Sequence, residues 1–211
     1  MPDQPVPEFG WKSAAPECTA DFVIPALRDL GGDLIRPGAR VLDVGCGNGF
    51  NAGQYLAWGC RVTGIDASDV GVRIAAQTYP AGRFVSMLIE DDVLPALGEP
   101  PFDLVNSTEV VEHLYDPIAW ARCCFNALRP GGRLLVSTPY HGFLKNLAIS
   151  LVDGWDKHFE AHKVGGHIKF FSPRTLGAIL TQAGFRSIRF RGTGRAPYLW
   201  KSMVLSADRP G

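Results

Sequence analysis

The sequence predicts an α/β protein built on a doubly wound, mostly parallel sheet of seven strands that ends in an antiparallel hairpin. Three observations carry that expectation. Five apolar runs rich in β-branched residues alternate with helical patterns between residues 40 and 138. The first run passes directly into a loop with glycines at 45, 47 and 49 and then into a helix, the strand, turn and helix unit that ligand-binding α/β sheets share. Near the end, two strand-like segments follow each other with no helix between them. They have to pair antiparallel, because a parallel pair needs a crossover of about a dozen residues or more.

In chain order, residues 1–16 contain four prolines, which favours an extended arm over a packed element. The arm is expected to reach residue 18. Phe9 and Trp11 are large apolar groups that a tail should not expose; they are expected to anchor the arm, with closure over a bound cofactor as the alternative. Residues 19–211 read as one domain with an insertion, a lid or binding loop, over 139–171. Apolar groups at helical spacing in 19–30 precede the stop Gly31-Gly32. The first strand leads to a helix over 50–58, a second strand over 61–66 and a helix over 69–79 that Ser68 or Asp69 would cap. Strands follow at 83–87 and 102–106. Asp116-Pro117 opens a helix with an N-cap and a proline in its first turn. That helix stops at the P-G-G turn of 130–132, before a fifth strand over 133–138. Ser172-Pro173 opens the last helix, and strands at 185–191 and 199–206 close the pattern.

Length and charge narrow the class. A chain of 211 residues with 46% hydrophobic residues describes one folded domain with a substantial core. Lys+Arg and Asp+Glu are 21 each, so the basic surplus that nucleic-acid binding calls for is missing, and no nucleic-acid partner is expected. No apolar run approaches the roughly 18 residues of a membrane span, and the N-terminus has no signal-like pattern, so a cytoplasmic protein without an integral membrane segment is expected. None of the five cysteines forms C-x-x-C; they read as reduced thiols. Nothing in the pattern sets an oligomeric state.

The glycine turn is built to hold something small, because glycines there let a ligand lie directly on main-chain N–H groups. A dinucleotide site wants G-x-G-x-x-G, and Phe50 breaks that spacing. The acid Asp43 in the strand instead suits an ammonium or a sulfonium-bearing amino acid. The stretch V-L-D-V-G-C-G-N-G resembles motif I of the class I S-adenosylmethionine (SAM) dependent methyltransferases, whose sheet is Rossmann-like. F-D-L-V at 102–105, the P-G-G turn and the terminal hairpin extend the resemblance over nearly the whole chain from Val41. It implies SAM as cofactor, held by Asp43, Gly45, Cys46, Gly47, Asn48, Gly49, Asp66, Ala67, Glu90, Asp91 and Thr108. Asp66, at the end of the second strand, would accept both ribose hydroxyls; Glu90 or Asp91 would accept from the adenine amino group.

The 139–171 segment holds four of the five histidines, the side chain that titrates near neutral pH. A hydroxyl acceptor needs a base, and His141 or His167 is expected to serve, with His113 a further candidate. His167, in G-G-H-I-K-F-F-S, resembles a glycine-flanked histidine in the lid of ubiquinone-pathway O-methyltransferases. E-V-V-E-H-L-Y-D-P also resembles that group, in which the two glutamates and the histidine are proposed metal ligands. Spacings of three and four put Glu109, Glu112 and His113 on one helical face, and two carboxylates suit Mg²⁺. The acceptor implied is a small molecule, a phenolic quinone precursor or a sugar. An N-methyltransferase and a catalytically silent SAM-binding module or partner subunit are the alternatives. The stretch 143–152 is apolar enough to touch a lipid tail or a membrane surface, and an ordinary lid helix is the favoured explanation.

Overall fold

The computed structural model describes residues 10–159 and 165–211; Phe9 and His162 lie outside them. Seven strands form one sheet in the order β3-β2-β1-β4-β5-β7-β6. They are β1 Arg40–Val44, β2 Arg61–Asp66, β3 Arg83–Ser86, β4 Phe102–Thr108, β5 Leu128–Pro139, β6 Arg186–Thr193 and β7 Ser202–Asp208. β1 to β5 are parallel to their neighbours, and β7 runs antiparallel to both β5 and β6. The expected hairpin is present, with its second strand inserted between β5 and the first.

Alternation along the central strands explains the two layers of core, because successive side chains point to opposite faces. Val41, Leu104, Leu135 and Val204 bury one face against Val23, Leu27 and Tyr55 of helices α1 (Ala20–Gly31) and α2 (Phe50–Ala57). Their neighbours Leu42, Val105, Leu134 and Leu205 bury the other against Trp120, Leu176 and Leu180 of the helices here numbered α5 (Pro117–Ala127) and α8 (Pro173–Gln182). Between them in the chain come α3 (Asp69–Thr78), the single turn α4 (Leu94–Leu97), α6 (Phe143–Leu151) and α7 (Trp155–Phe159). The expected caps are formed. Ser68 accepts from Gly71 N–H, Asp116 from the N–H groups of Ile118 and Ala119 at 2.9 Å, and Ser172 with Thr175 makes a capping box.

The structure departs from the expected pattern in two places that matter. β5 begins at Leu128, so the P-G-G turn lies inside it, with an irregular register between Phe102 and Leu104. More important, residues 109–113 do not form a helical face. Glu109 has φ +54°, its N–H continues the β4–β5 ladder to Ser137 O, and only Val111–His113 turn, as a short 3₁₀ segment. Glu109 therefore belongs to the strand end, and the spacing argument that aligned it with Glu112 and His113 fails.

Candidate active site

The glycine turn joins β1 to α2 at the carboxyl end of the sheet. Gly45 and Cys46 N–H both donate to Ile65 O (2.8 and 3.0 Å), Gly49 N–H to Cys46 O (2.8 Å), and Gly47 N–H to Asp66 Oδ2 (2.8 Å). The amides expected to face a ligand are thus spent closing the turn and locking it to β2. Glycine is still obligatory here, for a different reason. At φ +75° and +80°, Cβ atoms on Gly45 and Gly49 would come within 2.4 Å of Val110 and 2.6 Å of Ala75, so glycine allows the protein's own chain to approach.

Two side chains of the turn also point elsewhere than expected. Cys46 is buried against Gly64 of β2, and burial pushes its thiol well above the ordinary range. Asn48 Nδ2 donates to Ser13 O and Ala15 O at 2.9 Å each, while its Oδ1 accepts from Phe50 N–H. The arm is therefore fastened to the turn by Asn48. The Trp11 ring, expected as an anchor, lies against Gly47 and Gly71, so the arm crosses the loop that was expected to hold the cofactor.

Beside the turn, Asp43 is buried and receives Asn106 Nδ2 on Oδ1 at 2.6 Å. Asn106 Oδ1 in turn accepts from the hydroxyls of Tyr55 (3.1 Å) and Thr108 (3.2 Å). Asp43 Oδ2 has no hydrogen-bond partner among the described residues, and burial lifts the carboxyl to about 7 despite the Asn106 bond. An orphaned, buried carboxylate oxygen fits the ammonium of a methionyl group, which would supply both donor and charge. Asp66 at the end of β2 also accepts from Ser68 N–H (2.8 Å), and half-buried Ala67 follows it. Of the two candidates for the adenine contact, Asp91 is gripped by Arg122 on both oxygens (3.0 and 3.1 Å), whereas Glu90 is exposed on the same loop. Asn106 was missed in the sequence, although a polar residue facing Asp43 from the apolar β4, in direct register, was a usable signal.

A second group of polar residues gathers past the ends of β4 and β5. Glu109 Oε1 accepts from Ser137 Oγ at 2.7 Å, and burial lifts its carboxyl to about 7. Glu112 is buried with neither carboxyl oxygen partnered among the described residues; burial and the nearby Glu109 raise it well above the ordinary range. The backbone of Glu112 takes the N–H groups of Ile168 and Lys169, which brings His167 to the site. Ligand atoms of Glu112, His113 and His167 all lie within 4.8 Å of one another, so His167 stands where Glu109 was expected. Nδ1 of His113 lies 2.7 Å from Gly165 O, and Nδ1 of His167 lies 3.1 Å from His158 O. Both contacts favour the Nδ1–H tautomer and leave Nε2 as the ring acceptor.

His141 sits on the same side. Its Nδ1 pairs with Asn146 Oδ1 at 2.9 Å and its ring stacks on Phe170 at 4.1 Å, while the buried Nε2 has no partner among the described residues. Burial pushes its pKa down to about 4, so the ring is neutral at neutral pH. Lys145 of α6, unforeseen in the sequence, is buried beside it and donates to Lys201 O at 3.0 Å; burial pushes its ammonium down to about 8. A separate groove of about 670 Å³, at the amino ends of β1 to β3, is lined in part by the ion pairs of Glu99 with Arg40 and Arg83 and lies at the opposite end of the sheet.

Comparison with known proteins bears on the family and the fold. A family model described as a methyltransferase domain matches residues 19–189. The ubiquinone biosynthesis O-methyltransferase of Cereibacter sphaeroides (strain KD131) is 30% identical over 199 residues, covering 90% of this chain and 80% of the relative. The protein of that name from Dinoroseobacter shibae is 34% identical over 172 residues, covering 78% and 68%. Among solved structures, an S-adenosylmethionine-dependent methyltransferase from Mesorhizobium loti superposes with a TM-score of 0.68 at 22% identity, covering 88% of this chain and 96% of that one. Magnesium protoporphyrin IX methyltransferase from Synechocystis PCC 6803 superposes with a TM-score of 0.64 at 22% identity, covering 89% and 80%. A glycine turn locked between β1 and β2, an orphaned acid beside it, a seven-stranded sheet with its last strand turned back, and a family match over most of the chain have one common reading: the protein belongs to the methyltransferase-domain family and is a SAM-dependent methyltransferase.

Proposed function

We propose that the protein methylates a hydroxyl oxygen of a small-molecule acceptor bound beneath α6, with residues 139–171 acting as a lid. The observation that carries this is the set of buried polar atoms left without a partner past β4 and β5. Among the described residues, both Glu112 carboxyl oxygens, Thr138 Oγ1 and His141 Nε2 are buried and unsatisfied. Thr138 is near enough to Glu112 to ease its carboxyl, so the second Glu112 oxygen and His141 Nε2 are the acceptors that most need a partner, and a buried acceptor left empty costs about 1 to 3 kcal/mol. A molecule bearing several O–H donors satisfies them. The names of the relatives, O-methyltransferases of ubiquinone biosynthesis, support the same acceptor atom.

Bound SAM supplies a methyl group already activated by a positively charged sulfur. The chain's own task is then to place the acceptor in line and take its proton. Asp43 and Asp66 would hold the two ends of the cofactor from β1 and β2. Neutral His141 presents an unprotonated Nε2 that accepts a hydrogen bond from the acceptor hydroxyl at neutral pH and orients it, although burial also makes the ring a weak base. Glu112, His113 and His167 form a donor set of two imidazoles and one carboxylate. It fits Mn²⁺, Fe²⁺, Co²⁺ or Zn²⁺ better than the Mg²⁺ expected from two carboxylates. An ion there would relieve the orphaned Glu112 oxygens and favour the ionised form of an acceptor oxygen. The test is a methyl-transfer screen over catechols, sugars and lipid quinone precursors, with and without chelator. O-methylated product supports the reading, and transfer to nitrogen acceptors alone overturns it. Activity indifferent to chelation would remove the metal and leave the rest.

A further inference from the structure

Lys145 is unlike its neighbours on α6. The outer side of that helix is apolar and open to solvent, with Phe143 79% and Leu151 78% exposed, whereas Lys145 is 6% exposed on the inner side with Ile149. A lysine at such a position ordinarily extends its stem over apolar surface and keeps its charge in water. This one turns its charge inward. Its Nζ donates to Lys201 O and makes no ion pair among the described residues. Glu109 contributes an attractive field and Arg195 a second positive one. A buried, singly bonded ammonium is costly unless an anion reaches it. It lies close to the group of buried polar atoms assigned above to the acceptor, since His141, whose Nε2 is one of them, is within its field.

We propose that Lys145 is an acceptor-anchoring residue, whose ammonium binds an anionic substituent of the methyl acceptor, a carboxylate or a phosphate, beneath α6. The proposal rests on the reading that a small hydroxylated acceptor occupies this site. It assigns the acceptor a charge and gives α6 a part in choosing it. Glu109 offsets the charge only in part, because burial lifts its own carboxyl to about 7; an anion bound beneath α6 would complete the compensation.

The test uses the full chain loaded with S-adenosylhomocysteine, as wild type, Lys145→Met and Lys145→Arg. Two probes, 3,4-dihydroxybenzoate and 4-methylcatechol, share a vicinal diol and differ in the carboxylate. Calorimetry should show wild type binding the benzoate at least about tenfold more tightly, the scale of one charge-assisted hydrogen bond. Lys145→Met should erase that preference and Lys145→Arg restore part of it, with S-adenosylhomocysteine affinity unchanged in both. Displacement of the benzoate by inorganic phosphate would assign the anchor to a phosphate-bearing acceptor; resistance to displacement would assign it to a carboxylate. Equal binding of the two probes by wild type, no binding of either, or a preference that survives in Lys145→Met would overturn the proposal. If Lys145→Met does not fold, the same comparison with Lys145→Gln decides. O-methylation of 4-methylcatechol at wild-type rate by the Met variant, together with an unchanged preference, would sink the anchor and keep the O-methyltransferase reading. Lys145-dependent binding with no transfer to oxygen would do the reverse.

Discussion

Asp43 carries a stability cost that the proposed cofactor contact would offset. It lies buried on β1 between β2 and β4, its carboxylate accepts from Asn106, and its carboxyl is lifted to about 7. An acid raised in this way keeps a proton in the folded protein that the unfolded chain gives up. Its stability contribution is intact below the unfolded pKa near 4 and is lost as pH rises through about 7. Asp43→Asn should therefore gain on wild type between pH 5 and pH 8 by about 2 to 3 kcal/mol in urea unfolding, while S-adenosylhomocysteine affinity falls by about 1 to 3 kcal/mol. A stability difference that stays flat across that range would contradict the burial argument. The type and position of Asp43 and Asp66 were legible from the sequence, because an acid inside or at the end of an apolar strand is conspicuous. The directions of Cys46 and Asn48 were not. Residues in a turn alternate without a fixed period, so neither the thiol's turn into the sheet nor the amide's grip on the arm follows from spacing.

At the level of elements, the β1–α2 turn is a joint between three parts of the protein. Its amides tie it to β2, its glycines let Val110 and α3 approach, and Asn48 holds residues 13–15. Gly49→Ala places a Cβ 2.6 Å from Ala75 Cβ and 3.0 Å from its Cα, at φ +80°. It should cost about 2 to 4 kcal/mol, since backbone cannot move aside as a flexible side chain can. Gly98→Ala is the control, with φ +63° and nothing within 4 Å of the new atom, and should cost about 1 kcal/mol. Equal losses in denaturant titrations would show that backbone conformation alone, and not contact with α3, demands the glycine. The segment after β4 marks the limit of periodicity as a guide. Spacings of three and four match a helix, but a ladder bond at Glu109 and a three-residue turn place the same letters differently. Tertiary pairing outranks a five-residue pattern, and the inclusion of His167 in the cluster depends on a contact between residues more than fifty positions apart, which no local pattern encodes.

For the molecule as a whole, strand count, the parallel half and the antiparallel ending were all readable, since each follows from alternation and connection length. Strand order past β5 was less so, because a hairpin can dock by either of its strands. A ligand bound only by the folded state stabilises it by mass action. At a hundredfold excess over Kd, S-adenosylhomocysteine should add about 2.7 kcal/mol, raising Tm by about 5 to 10 °C for a domain of this size. NAD at the same concentration should leave the calorimetric transition where it was; a shift with NAD and none with S-adenosylhomocysteine would reverse the assignment of the turn. The position of β7 between β5 and β6 has a further consequence during synthesis. The strand translated last among the seven is the one that bridges the other two, so a ribosome still short of residue 202 holds a chain whose β5 shows a bare parallel edge and whose β6 has no neighbour to join. Such an edge invites pairing with other nascent chains, and the closing few codons of the sheet decide whether the polypeptide is finished or sticky.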